Sequence, residues 1–140
     1  MSAPLIHGTC VRVQDQGVLL MGVSGSGKSD LALRLMDRGA ILVGDDYLES
    51  EARGQELWVR PTPRLAGLIE VRNIGLCPMP HCPEARVHLV IQLDETPERL
   101  PERRETRIAG IDLPWLSLNA YEASAPLKVE LALQQRGLIL

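Results

Sequence analysis

Short apolar runs punctuate an otherwise mixed chain, and the residues around each run say what it is. Val18-Leu19-Leu20-Met21 is unbroken apolar sequence, as expected of a strand covered on both faces. From Ser29 to Arg38 the residues Leu31, Ala32, Leu35 and Met36 recur at helical spacing, which gives a helix one apolar face. Gly39 follows as a left-handed stop. Ile41-Leu42-Val43 then reads as a second strand, ending at Gly44-Asp45-Asp46. Strand, helix and strand in that order form a β-α-β unit, which crosses over right-handed into a parallel sheet.

Further along the pattern is less regular. Residues 57–59 (LWV), 68–71 (LIEV) and 87–93 (VHLVIQL) read as strands. Residues 77–85 hold three prolines in nine positions and read as a loop. The charged, proline-broken stretch 96–107 reads as an exposed loop with at most a short helical turn. Ser124 is placed to cap a helix from about Pro126 to Arg136, closed by Gly137. The expected fold class is therefore α/β, with a mostly parallel or mixed central sheet flanked by helices.

Composition narrows the class. The 140 residues make one domain, 1–140, by size, with 45% apolar and 24% charged residues. Net charge is −3, without a basic block, and two Trp and two Tyr leave little to stack on nucleic-acid bases. A polymeric nucleic-acid partner is not expected. No run reaches the ~18 apolar residues of a membrane span and no leader is recognised, so a cytoplasmic protein is expected. The cysteines Cys10, Cys77 and Cys82 are odd in number, which suits a reducing compartment. Cys77 and Cys82 with His81 and His88 lack the paired ligand spacing of a zinc site.

The chemistry concentrates where the first strand meets its helix. Gly22, Val23, Ser24, Gly25, Ser26, Gly27, Lys28 and Ser29 fit the phosphate-loop pattern G-x-x-x-x-G-K-[ST] in full. A polyphosphate needs converging backbone N–H donors, hence a tight curl with little side-chain bulk. The following helix aims its positive end at the same point. Lys28 supplies a cation and Ser29 a hydroxyl for Mg²⁺. Asp45 and Asp46 end the next strand, where ligands bind in such sheets. One carboxylate there could hold Mg²⁺ and the other accept a proton from an attacking hydroxyl.

Three stretches together resemble the catalytic domain of the bacterial HPr kinase/phosphorylase family: His7-Gly8, GVSGSGKSD followed by LVGDD, and LAGLIEVRNIGL at 65–76. The resemblance is dense from His7 to Leu76 and thinner beyond. It implies an ATP- and Mg²⁺-dependent kinase for a serine of the phosphocarrier HPr, or of a nitrogen-branch HPr-like carrier. It also implies reversal, in which inorganic phosphate removes the serine phosphate and releases pyrophosphate. By matched position, Lys28 binds phosphates, Ser29 and Glu70 hold Mg²⁺, Asp46 exchanges the serine proton, and His7 is catalytic. Arg99, among Arg99, Arg103, Arg104 and Arg107, is the best match to a downstream catalytic arginine. A homo-oligomer, hexameric in the family pattern, is implied as well, as is a short form without the family's amino-terminal domain.

The sequence also departs from that pattern. Asn73 stands where the family has glycine, so the backbone there either differs or holds a left-handed Asn. Residues 117–122 (SLNAYE) lack the basic side chains associated with reversal, so kinase activity is the firmer expectation. Two other readings share the scaffold, a small-molecule kinase and a non-enzymatic nucleotide sensor.

Overall fold

The computed structural model describes residues 4–140; residues 1–3 of the expected 1–140 domain lie outside the described part. Eleven strands and two helices follow in order: β1 (Leu5–His7), β2 (Thr9–Val13), β3 (Gln16–Met21), α1 (Lys28–Asp37), β4 (Ile41–Gly44), β5 (Tyr47–Arg53), β6 (Glu56–Pro61), β7 (Leu68–Val71), β8 (Gly75–Pro78), β9 (Ala85–Leu93), β10 (Arg104–Ile108), β11 (Ile111–Leu118) and α2 (Ala125–Gln135). A 3-10 turn, Pro63–Leu65, precedes β7.

Nine strands form one mixed sheet in the order β1-β5-β6-β9-β3-β2-β4, with β11 on β9 and β10 on β11. The β-α-β reading survives in altered form. β2 pairs antiparallel with both β3 and β4, so these two strands run the same way but are not neighbours. The cause is local: a two-residue turn, with Gln14 at φ 53°, folds β2 against β3 before α1 can return the chain. Among the described strands parallel ladders join only β3 to β9 and β9 to β11, with one isolated parallel bridge from Leu42 to His81, so most of the sheet is antiparallel. β7 and β8 form a separate hairpin.

The two faces of the sheet bury different partners. On one face Val11, Val18, Leu20, Leu42, Leu89 and Ile91 pack against Leu31, Ala32 and Leu35 of α1 and Val129 and Leu133 of α2. Burying each such leucine contributes about 1.5–3 kcal/mol. On the other face Cys10, Leu19, Val43 and Val90 meet Leu48, Leu57 and Val59, because the sheet curls until Pro61 of β6 comes beside Gly44 of β4. The alternation along β9 breaks at His88, where the register with β3 slips by one residue; Val87 and Leu89 therefore face opposite clusters.

Both helices end as the sequence predicts. Gly39 (φ 108°) donates to the Met36 carbonyl and Ala40 to that of Leu35; Gly137 (φ 71°) donates to Gln134 and Leu138 to Leu133. Each is a Schellman closure. Ser124 does not cap α2 as expected: it is already helical and its side chain makes no capping bond, while its carbonyl accepts from Lys128 N–H. The stretch 96–107 is also corrected, since Arg104–Ile108 is an edge strand hairpinned to β11. Its charges misled because an edge strand has one neighbour and can keep polar side chains in water.

Candidate active site

The C-terminal ends of β3 and β4, the start of α1 and the β7–β8 hairpin enclose a cleft of about 1000 Å³. The glycine-rich loop that fits the phosphate-loop pattern leaves β3 at Gly22 and enters α1 through Gly27, whose left-handed conformation (φ 96°) ends the curl. A Cβ on Gly27 would stand 2.9 Å from the Ala120 Cβ, so glycine answers to space as well as to φ. Lys28 opens the helix and is buried, its ammonium donating to the Gly22 (2.7 Å) and Val23 (3.1 Å) carbonyls. Burial lowers its pKa from the ordinary lysine value, while Asp46 and Asp45 oppose that fall. The Ser26 hydroxyl is buried inside the loop without a hydrogen-bond partner.

The two aspartates have opposite surroundings. Asp45 is 4% exposed. Its Oδ1 accepts from the hydroxyls of Thr9 and Ser29, both at 2.8 Å, and its Oδ2 accepts from Glu70 N–H at 3.1 Å. Thus one carboxylate ties β2, α1, β4 and β7 together at the loop. Asp46 is exposed and sits in the left-handed region at φ 72°. Such a backbone costs a non-glycine residue of order 1 kcal/mol and is held here by its neighbours. Gly8 N–H donates to the Asp46 carbonyl at 3.0 Å, and His7 Nε2 lies 3.1 Å from Asp46 Oδ1. The His7 ring also stacks on Tyr47, with centroids 5.0 Å apart. A Cβ on Gly8 would come 2.9 Å from the Leu20 carbonyl, so the close approach that sets His7 requires glycine.

The hairpin forms the facing wall. Glu70, Arg72 and Asn73 line the cleft, and Asn73 is left-handed at φ 74°, the second of the two outcomes its replacement of glycine left open. Glu70 and Arg72 make no ion pair with each other. Among the described residues no three His, Cys, Asp or Glu side chains gather to hold a metal ion unaided. Ser29, Asp45 and Glu70 in the lining offer oxygen donors, the kind Mg²⁺ takes, and that ion needs only one or two protein ligands beside water and phosphate oxygens.

The structure thus brings His7, Lys28, Ser29, Asp45, Asp46 and Glu70 to one cleft. It does not bring Arg99 there: that residue is exposed on the segment between β9 and β10 and is absent from the cleft lining. Sequence reasoning missed Thr9 and Tyr121. Thr9 was legible as a hydroxyl inside an apolar strand directly after His7-Gly8. Tyr121, which bonds the loop carbonyl of Gly25 through its hydroxyl, left no local signal.

Residues 2–121 match the family model for the HPr Serine kinase C-terminal domain. The chain belongs to that family. Among curated relatives, the HPr kinase/phosphorylase of Limosilactobacillus reuteri (strain DSM 20016) is 35% identical over 81% of this chain and 40% of its own length. The corresponding protein of Geobacillus thermodenitrificans (strain NG80-2) is 35% identical over 81% of this chain and 41% of its own. That of Caldicellulosiruptor bescii is 41% identical over 63% of this chain and 31% of its own. The chain therefore spans between about a third and two-fifths of the length of these relatives. The solved Hpr(Ser) kinase/phosphatase from Coxiella burnetii superposes with a TM-score of 0.84 at 27% identity, covering 96% of this chain and 91% of that one. With these matches the mixed sheet and its two helices are the fold of an HPr kinase catalytic domain.

Proposed function

We propose that this family member transfers the γ-phosphoryl group of Mg-ATP to a serine hydroxyl of HPr or an HPr-like carrier protein, in the cytoplasm. The observation that carries this reading is the division of labour between adjacent aspartates, one buried and fully bonded, the other open to the cleft beside His7. The names of the relatives support the same reaction class.

The phosphate loop amides and the start of α1 hold the nucleotide's phosphates, and Lys28 leaves its carbonyl partners to meet the terminal ones. Ser29, Asp45 and Glu70 are the residues that would hold Mg²⁺, directly or through water. Bound there, the ion would neutralise charge on the phosphate oxygens. Asp46 accepts the serine proton as the serine oxygen bonds to the γ-phosphorus and the bond from that phosphorus to the β,γ-bridging oxygen breaks, leaving ADP. His7 holds the Asp46 carboxylate toward the acceptor. In the reverse direction Asp46 returns the proton to the serine while inorganic phosphate takes the phosphoryl group and leaves as pyrophosphate. Arg99 contributes only by a swing of its segment, whereas Arg72 already lines the cleft. Assembly into a homo-oligomer, hexameric in the family pattern, belongs to the same proposal, and a monomer by light scattering would count against it.

Asp46→Asn and Lys28→Ala divide the alternatives. Calorimetry with Mg-ATP and mass spectrometry of the carrier should show transfer lost in both variants, with nucleotide binding kept in Asp46→Asn alone. Full transfer by Asp46→Asn would refute the assigned proton acceptor.

A further inference from the structure

The phosphate chemistry makes no use of the loop between β11 and α2, yet hydrogen bonds tie that loop to its neighbours on several sides. Asn119 accepts from Tyr121 N–H at 2.9 Å and donates to the Glu95 carbonyl at 3.2 Å. Arg34 of α1 donates to the carbonyls of Ala120 and Glu122. The Tyr121 hydroxyl donates to Gly25, and the ring lies 3.7 Å from where a Gly27 Cβ would stand. Tyr121 is nevertheless 63% exposed, and it is the one tyrosine or tryptophan lining the cleft among the described residues.

Topology says which end of a nucleotide meets it. β3, β4, β9 and β11 all end at the same sheet edge. β4 delivers Asp45 and Asp46 on one side of the phosphate loop, while β9 and β11 end on the other. The reacting phosphate lies toward the aspartates and Lys28. With the phosphates on the loop, the rest of the molecule runs the opposite way, across Gly27, beside which the Tyr121 ring lies, and along the start of α1, where Asp30 and Leu33 also line the cleft. An immobilised ring with one open face loses little entropy when a base stacks on it, and every base offers a π-face.

We propose that Tyr121 is the stacking platform for the base of the nucleoside triphosphate. The inference rests on the nucleotide reading above, and the test separates the two. Calorimetry on the full chain compares Mg-ATP with Mg-tripolyphosphate, which has the phosphates but no base. Tyr121→Ala should weaken Mg-ATP about tenfold or more while leaving tripolyphosphate unchanged. Tyr121→Phe, which keeps the ring and loses the bond to Gly25, should bind Mg-ATP like the wild type. Equal losses for both ligands in Tyr121→Ala, no loss for Mg-ATP, or a Tyr121→Phe as weak as Tyr121→Ala would each overturn the platform. A wild-type chain that binds neither ligand would overturn the nucleotide site itself.

Discussion

On the β4 side of the phosphate loop the polar groups are spent on one another. Thr9, Ser29 and the Glu70 amide converge on a carboxylate that is nearly sealed from water. On the β11 side the fixed element is backbone, held by Asn119 and Arg34, and what it presents to the cleft is an open aromatic ring. Buried polar groups earn their rigidity only when fully satisfied, so the first flank is suited to holding charge in a set place. The second is suited to a flat group without charge. On the function proposed above, the flanks are the transferring end and the handle end for one substrate.

The comparison can be broken first at the hairpin. Arg72 lines the cleft and Arg99 does not. We expect Arg72→Ala to lower the transfer rate by about a hundredfold, the loss of one charge-stabilising donor, and Arg99→Ala to lower it less. Initial rates of carrier phosphorylation decide it, and the opposite order would return Arg99 to the site.

Next in size is Asp45→Ala, which leaves the buried Thr9 hydroxyl without its acceptor. About 2 kcal/mol of stability should go, lowering Tm by about 4–8 °C. Asp46→Gly should do the reverse on the same strand end: Tm does not fall, because glycine takes φ 72° freely, but transfer stops. A melting curve for each variant checks both, and equal losses would mean that the two aspartates share one structural role.

The smallest effect lies away from both flanks. His88 sits in the β9 bulge, where Nδ1 accepts from Gly17 N–H at 3.3 Å, and burial, with Arg86 beside it, lowers its pKa. Below about pH 6.5 the unfolded imidazole takes up a proton that the folded one resists, so this contribution to stability fades as pH falls through the folded value. The group is partly exposed, so the effect is a small part of the acid transition. His88→Gln should shift Tm less than the wild type between pH 7 and pH 5.5, and an identical shift would remove His88 from the account.

The β4 flank was largely legible in the sequence because its residues belong to short runs: Lys28 and Ser29 end the loop motif, Asp45 and Asp46 end a strand, and His7-Gly8 opens one. The β11 flank was not, because Tyr121 reaches the loop only through two parallel pairings between strands far apart in sequence. The sheet was misjudged for a related reason. Helix periodicity announces α1, but nothing local announces that the β2–β3 turn will insert an antiparallel strand before β4. Edge strand β10 has Ile108 as its one apolar side chain, too little to mark a period.

The central claim is transfer to a serine, and one measurement addresses it directly. The chain is incubated with Mg-ATP and an HPr-type carrier, and with that carrier bearing Ser→Ala at its acceptor position, and intact masses are followed over time. The account predicts a gain of one phosphate on the first carrier and none on the second. A chain that binds Mg-ATP and phosphorylates neither, or both alike, would contradict it.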